Sequence, residues 1–388
     1  MTVYDVTALG AAGDGVTDDY TVIQSALTLA APGDTVVLPR KHRVSAPLVL
    51  ATPNVTLRGV WAPRWAYDTP QSNYVKPFFG SFTGDAVVRV EANGCRIQDL
   101  LVDGVNATGP SGVAVDGVEI GGGVHDTLLE RVGLYNLTGA GLLALEAAAV
   151  VAVDVSANTC RGSGAFVLEV TDSLFTRCLA VANAGCGFVL TNPSDVKLTD
   201  CMSVFNDAHG FQATGTNGSL QFANCSTDRN DMAGFAMFCG GASDAHAITL
   251  TGCYARRDVQ KGFHVGGAAG ARHVPVLMSA CATHVAKDDA GGGTNGPLYG
   301  LVVDYGRAVQ LAACSMQGAT QGLLETNGAV TRYGPDTLFN TGTGSAAVWD
   351  TQSVTRYSAP GGQGKAFVQG GAYKYTGAAG TTSTVAPS

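Results

Sequence analysis

Charged side chains make up only 14% of this 388-residue chain and aromatic ones only 7%, with three tryptophans among them. Basic residues are the scarcer sign, 23 against 31 acidic, which leaves a formal charge of −8 and no concentrated basic face for general nucleic-acid binding. No run is long or apolar enough to cross a membrane, so membrane insertion is not expected. The opening stretch MTVYDVTALGAAGDG has neither a basic n-region nor an apolar h-region and does not read as a signal peptide. Such a chain has either lost a leader or is assembled inside a cell and released another way, for instance by lysis. There is no P-loop, no dinucleotide-binding fingerprint, no Ser-His-Asp spacing and no clustered Cys/His set, and the seven histidines are scattered. Neither a cofactor nor a metal is expected.

What is abundant is glycine, 52 residues, together with 46% hydrophobic residues. That combination suits short inward-facing strands joined by tight turns and argues against disorder. The turns are marked by cysteine. Cys178, Cys201, Cys225, Cys253, Cys281 and Cys314 recur at one place in a repeating unit. Around four of them the fifth residue on is Asn183, Asn206, Asn230 or Asp258, the ninth is Gly187, Gly210, Gly234 or Gly262, and the tenth is Phe188, Phe211, Phe235 or Phe263. A period of 20 to 30 residues with short β-rich runs fits a parallel β-helix better than helical repeats. Each Cys then lies about 4.8 Å above the one in the coil before, the spacing of neighbouring strands. The Asn column is expected at a turn, its side chains bonding along the stack, and the Phe column inside. Ten cysteines in such a chain read mainly as small buried thiols on an inward column rather than as disulfides.

Towards the N-terminus, Tyr4–Leu9 reads as a strand, followed by a glycine turn and a helix over about Asp19–Ala30. Asp18 and Asp19 are expected to cap that helix, and Ile23, Ala26 and Leu27 give it an apolar face. Such a helix would plug the open end of a solenoid. The run GDGVTDDYTVIQSAL, then GDTVVLP, RVSAPLVL and VTLRGV in order, resembles the N-terminal segment of the pectate-lyase superfamily, of the type found in uronate epimerases, rhamnogalacturonase-like enzymes and bacteriophage tailspikes. The resemblance is specific over residues 3–60 and afterwards is one of repeat style. It implies an all-β, right-handed parallel β-helix solenoid with an N-terminal capping helix. It names no reaction, because lyases, hydrolases, epimerases and inactive adhesins share that front end.

The organisation expected is therefore a cap and first coils over residues 1–60, an insertion over 61–86, a β-helix body over 87–330, and a small cap with a loosely ordered tail over 331–388. The insertion, WAPRWAYDTPQSNYVKPFFGSF, crowds seven aromatics and three prolines together and reads as a loop leaving the solenoid. It is either a packing patch or a sugar-stacking platform in which Trp61 and Trp65 face pyranose rings. Longer insertions are expected near 240–245, 266–272 and 287–296.

A solenoid does its chemistry on the lateral surface, where outward side chains of adjacent coils stand in columns about 5 Å apart. Counted from the cysteines, Asp207 and Asp231 share a column, as do Asp228 and Arg256, Arg229 and Arg257, His209 and Lys261, and Gln212 and His264. Asp207, Asp228 and Asp231 are the candidate catalytic carboxylates. Two carboxylates about 5 Å apart suit retaining glycoside hydrolysis, and a wider pair leaves room for the water of an inverting mechanism. His209, Arg229, Arg256 and Arg257 are candidate binders of an acidic sugar. Against this, Asn-Asp pairs at a turn serve the backbone without any ligand. A second acidic series runs through Asp99, Asp103, Asp116, Glu119, Asp126 and Glu130. In it Asp103 and Asp116, each before glycine, read as turn residues, and Glu119, Asp126 and Glu130 remain possible acids. A calcium column of Asp200 and Glu130, just before the cysteine position, is interrupted by Arg177.

FNDAHGF has some similarity to polygalacturonases, but NTD, DD, GHG and RIK elements in order are absent, as is a DPH-type motif of epimerases and alginate lyases. The expectation is a phage or phage-like tailspike or tail fibre protein in the virion tail or outside the cell. It would be a homotrimer alongside other tail proteins, binding and cleaving a bacterial surface polysaccharide. The alternatives are a free-standing lyase, hydrolase or epimerase on a uronate-containing glycan, and a non-catalytic adhesive tail protein.

Overall fold

The computed structural model describes residues 1–60, 74–78, 80–240, 246–266, 274–285, 296–305, 308–319, 321–326, 329–333, 336–339 and the strands Val348–Asp350, Lys365–Gln369, Ala372–Thr376 and Thr382–Val385. The chain is a right-handed parallel β-solenoid with almost no helix. It divides into two compact units, Met1–Ala208 and His209–Ser388.

In the first unit each coil after the first gives one short strand to each of three faces, and in the first coil the helix follows two strands. Along the first face lie Val3–Asp5, Thr35–Val37, Thr56–Arg58, Arg96–Gln98, Leu128–Glu130, Val151–Val153, Leu174–Thr176 and Val196–Thr199, all parallel. From the second strand onward one residue of each strand is fully buried in register with its neighbours. Val36, Leu57, Ile97, Leu129, Ala152, Phe175 and Leu198 form one fully buried row in register. Burial of each larger member of such a row contributes about 1.5–3 kcal/mol, and this repetition rather than any single contact holds the coils together. The third face begins at Leu48–Leu50 and runs through Ala86–Val90, Asp116–Ile120, Leu142–Ala148, Gly164–Thr171 and Cys186–Thr191.

The helix forms over Tyr20–Leu29 and buries Ile23, Ala26 and Leu27, the apolar face expected. Its capping differs from expectation. Asp19 occupies the cap position, but its carboxylate accepts from the Ala12 and Gly13 N–H groups and from His42 Nδ1 at 2.8 Å. Asp18 supplies the N-terminal bond instead, accepting from the Tyr20 N–H at 3.0 Å. At the open edge of the third face, Gln24 imitates a strand: its amide donates to Val49 O and accepts from Val49 N–H. That pairing covers an edge that would otherwise offer unpaired backbone groups.

Corners between faces are turned by single residues in the left-handed region. Arg131, Asp154, Arg177 and Asp200 all have φ between 51° and 55°, and the N–H groups of the first three donate to carbonyls of the following coil. The residue after each corner points inward: Val132, Val155, Cys178 and Cys201 are all buried. The cysteine column thus continues an aliphatic one.

The second unit repeats the scheme. Its first face holds Leu220–Ala223, Ile248–Thr251, Val276–Ser279, Ala308–Ala312 and Val330–Tyr333. Its second holds Ser226–Asp228, Tyr254–Arg256, Ala282–His284, Ser315–Met316 and Leu338–Phe339. Its third holds Phe211–Thr214, Ala233–Met237, Lys261–Val265, Tyr299–Val303, Gln321–Glu325 and Val348–Asp350. Phe211, Phe235 and Phe263 stack at 5.0 Å steps inside it, and Phe166 on Phe188 at 4.3 Å inside the first unit. All ten cysteines are buried and outside any disulfide, and the hydrogen bond to the cysteine of the preceding coil, reinforced by burial, pushes the thiols of Cys253 and Cys281 up to about 12. The asparagine ladder is present in both units: Asn183 Nδ2 donates to Asn206 Oδ1 at 2.8 Å, and Asn230 Nδ2 to Asp258 Oδ1 at 2.8 Å.

Two segments differ from the sequence reading. Tyr74–Pro77, expected in a loop, is a strand whose Val75 sits in register between His42 and Val102, with Pro77 at its end where no further ladder bond is needed. Within 331–388, where a cap and a loose tail were expected, Lys365–Gln369, Ala372–Thr376 and Thr382–Val385 form an antiparallel three-stranded sheet.

Candidate functional site

On the outer side of the third face of the second unit, Lys261, His264, Asp304 and Phe238 come together, with His209 buried beside them. His264 stands mid-strand with its ring outward, and His264 Nε2 lies 2.9 Å from Asp304 Oδ2. On its other side Lys261 Nζ lies 3.3 Å from His264 Nδ1. A lysine ammonium only donates, so in neutral His264 Nδ1 accepts and the Nε2–H donates to Asp304. The result is a carboxylate-oriented imidazole whose second nitrogen is covered by the Lys261 ammonium, so that Nδ1 becomes a proton acceptor only when Lys261 turns away to another anion. Burial pulls the Lys261 pKa down, and the charge of Asp304 works against that.

Both members of the dyad are mostly buried, with 13% and 15% of their side chains exposed, and Asp304 Oδ1 has no hydrogen-bond partner among the described residues. Gly266 makes this packing possible, since a Cβ there would lie 2.4 Å from Asp304 Oδ1 and 3.2 Å from His264 Nε2. Half-buried Phe238 lies edge-on to His264 at 4.8 Å and to His209 at 5.7 Å. His209, expected to bind substrate, is buried, and its Nδ1 accepts from the Ala233 N–H at 3.2 Å. Burial, then His264 and Lys261, push its pKa down to about 4, so it stands neutral as a backbone acceptor.

The carboxylates singled out by their columns fare differently. Asp228 and Arg256 do stand side by side in register on the second face. Asp228, however, is gripped by Arg257, whose Nε and Nη2 reach its two oxygens at 2.8 and 2.5 Å, with Arg229 Nη1 at 3.5 Å. Arg257 is only 3% exposed, so it is a buried counter-ion rather than a surface hook for an acidic sugar. Asp207 is exposed in the first unit and Asp231 is exposed in the second. Trp61 and Trp65 lie outside the described residues.

The calcium column is corrected by the register. Glu130 pairs with Val153, two places before the inward residue, whereas Asp200 is a corner residue one place before it. The corner column itself reads Asp99, Arg131, Asp154, Arg177, Asp200. Arg131 reaches Asp99 at 2.5 Å, and Arg177 grips Asp154 through two bonds of 2.8 and 2.9 Å. Alternating signs neutralise one another there and leave no anionic cage. Among the described residues no group of three or more His, Cys, Asp or Glu side chains is placed to hold a metal.

In the first unit Arg89 ties Asp85 to Glu119, its Nε donating to Glu119 at 2.9 Å. Beside them Asp116, read as a turn residue, opens the strand Asp116–Ile120 instead, and its carboxylate accepts from the Ala140 N–H at 2.5 Å. Burial, reinforced by the charges of Glu119 and Asp85, pushes Asp116 up to about 7. Asp103 does end its strand, holding the Val105 N–H, Asn136 Nδ2 and Lys76 Nζ.

The sequence columns brought out Lys261 and His264 but missed Asp304 and Phe238. Asp304 lies 40 residues beyond His264. Its signal was the register of FHVG on LVVD, Phe263 opposite Leu301 and Val265 opposite Val303, hidden by the intervening insertion.

Residues 82–271 match the family described as right handed beta helix region. The chain is a right-handed parallel β-helix protein. No curated protein sequence matches it. Among solved structures this β-helix is similar to the A-module of the Azotobacter vinelandii mannuronan C-5 epimerase AlgE4, with 21% identity over 92% of this chain and 100% of that one and a TM-score of 0.66. It is also similar to the Dettilon tailspike protein, with 12% identity over 96% and 77% of the two chains and a TM-score of 0.59. The Streptococcus pneumoniae surface protein and adhesin PfbA is similar at 11% identity over 85% and 95%, with a TM-score of 0.60. At these identities the likeness is one of fold.

Proposed function

We propose that this β-helix protein binds and depolymerises a bacterial surface polysaccharide, as a homotrimeric phage or phage-like tailspike acting in the virion tail or outside the cell. The observation that carries the reading is the His264–Asp304 pair with Lys261 beside it, on an outward sheet face next to the half-buried ring of Phe238. Lys261 supplies a cation for an acidic sugar, its move onto the sugar carboxylate frees His264 Nδ1 as a proton acceptor, and Phe238 offers an apolar edge. Exposed Asp231 of the same unit adds a hydroxyl-binding carboxylate. The fold shared with a tailspike supports the setting, and repeated weak contacts on parallel flanks of a trimer add by avidity.

The test is incubation with a panel of acidic capsular polysaccharides, following chain length, reducing ends and the ultraviolet absorbance of unsaturated uronates. One glycan should be shortened by the wild type, and Asp304→Asn and His264→Ala should lower turnover by about 100-fold or more with binding retained. Binding without cleavage by the wild type would instead support the adhesive reading, and binding to no glycan would sink the proposal. Native mass in solution decides the trimer.

A second reading is favoured by the full-length match to an epimerase module. Abstraction of the proton next to a uronate carboxylate needs the same base and cation; when a solvent-derived proton is then returned to the opposite face of that carbon, with no loss of the neighbouring glycosidic oxygen, the sugar is inverted and chain length is unchanged. Deuterium uptake from solvent into an uncut polyuronate would select it.

A further inference from the structure

In the first unit a groove of about 500 Å³ opens between the start of the capping helix and the strand Ala86–Val90. It falls within the range of small-ligand sites, about 300–1,000 Å³. Tyr20, Pro47, Val49 and Val113 give it apolar walls, while Asp85 and Arg89 supply the polar side.

Three fixed elements build it. Val49 is held through both backbone groups by Gln24 of the helix. The wall carrying Val113 is closed by a turn in which the Gly109 N–H donates to Val113 O at 2.7 Å and the Val113 N–H to Pro110 O at 3.1 Å. Gly84 packs so closely that a Cβ would lie 2.2 Å from Pro47 Cγ, and one on Gly109 would lie 2.2 Å from Gly84 O. Bulkier residues at these two positions would push the walls apart, so the groove is preformed.

Its charge selects among ligands. The Arg89 guanidinium is already engaged by Asp85 and Glu119, so it presents no spare cation to an incoming anion. Asp85 and Arg89, the charged residues of the lining, offset each other, so nothing in the groove attracts an anionic sugar. The Asp85 side chain is 53% exposed and held in orientation by Arg89, as suits acceptance of two hydroxyl hydrogens from neighbouring sugar carbons. The C–H face of the same ring then rests on Tyr20 and the aliphatic walls.

We propose that this groove of the first unit is a docking subsite for a neutral, hydroxyl-rich sugar residue, whereas the His264 cluster of the second unit is suited to an acidic one. It rests on the glycan-binding reading above for the class of ligand alone.

The probes are the neutral trisaccharides maltotriose, cellotriose and mannotriose, with trigalacturonate as the charged comparator, measured by saturation-transfer NMR and calorimetry on the full chain. Variants are Val113→Trp, which fills the groove from a half-exposed position, and Asp85→Asn; circular dichroism confirms that each is folded. At least one neutral trisaccharide should bind the wild type. Both variants should raise its Kd tenfold or more, while trigalacturonate binding is unmoved by Val113→Trp. The assignment is overturned if no neutral probe binds, if binding survives both variants unchanged, or if trigalacturonate is the probe that Val113→Trp displaces. Should polysaccharide still bind in the Proposed-function assay while the groove variants change nothing, only this assignment fails. Should the chain bind no glycan of any kind, both readings fail together.

Discussion

Asp258 Oδ1 accepts from both the backbone N–H and the side-chain Nδ2 of Asn230, at 3.0 and 2.8 Å, while Asp258 Oδ2 meets the Thr227 hydroxyl at 2.6 Å. A carboxylate thus fills the rung of a ladder that asparagine fills at Asn183, Asn206 and Asn230.

That rung titrates. Burial pushes Asp258 up to about 7, against the hydrogen bonds from Thr227 and Asn230, which pull it down. Its folded pKa lies above the unfolded value, so its contribution to stability is fully present below about pH 4 and is lost as pH rises through about 7. Asp258→Asn keeps the two bonds accepted at Oδ1 and donates to Thr227 instead. We expect the variant to be more stable than wild type at pH 8, by up to a few kcal/mol for a shift of this size, and level with it near pH 4. Urea unfolding at the two pH values checks this; equal stability at pH 8 would show that Asp258 is comfortably ionised.

His209 titrates with the opposite sign. Its pKa is depressed to about 4, so its contribution is present above the unfolded value near 6.5 and is lost as pH falls towards 4. His209→Gln, which cannot take up a proton there, should weaken the acid sensitivity of the second unit between pH 6.5 and 4. Thermal melts across that window read the difference.

Phe235 sits between Phe211 and Phe263 at 5.0 Å on either side and is fully buried. Phe235→Ala should cost about 3–5 kcal/mol through lost burial and the cavity left in the stack, measured by denaturant unfolding. A charge at the neighbouring inward column, as in Cys225→Asp, should cost at least as much and reduce soluble yield.

Arg257→Ala leaves Asp228 without its main partner and should destabilise the second unit by roughly 3 kcal/mol, since breaking a mostly buried pair strands a charge. Asp228→Asn should lower stability in the same sense. If it removed turnover while unfolding stayed unchanged, Asp228 would regain the catalytic role first expected of it.

Inward columns were legible because packing holds their period: Cys178 onward, the Asn rungs and the Phe stack all fall where spacing put them. The capping helix face was legible for the same reason. Outward chemistry was legible only in part. Asp228, Arg229 and Arg257 were found as a polar cluster, yet their bonding reversed the role given to them, because a long guanidinium at a left-handed corner folds back onto the carboxylate of the preceding coil.

By itself, then, the sequence determined the solenoid, its inward residues and its capped end, since every coil must bury the same side of each strand against its neighbours. Tertiary structure decided which outward groups meet. Asp304 reaches His264 from 40 residues further along the chain, Gly266 clears the space between them, and Glu130 moves out of the corner column that Asp200 occupies. Nothing periodic constrains those contacts, because solvent accepts any side chain that the adjacent coil does not.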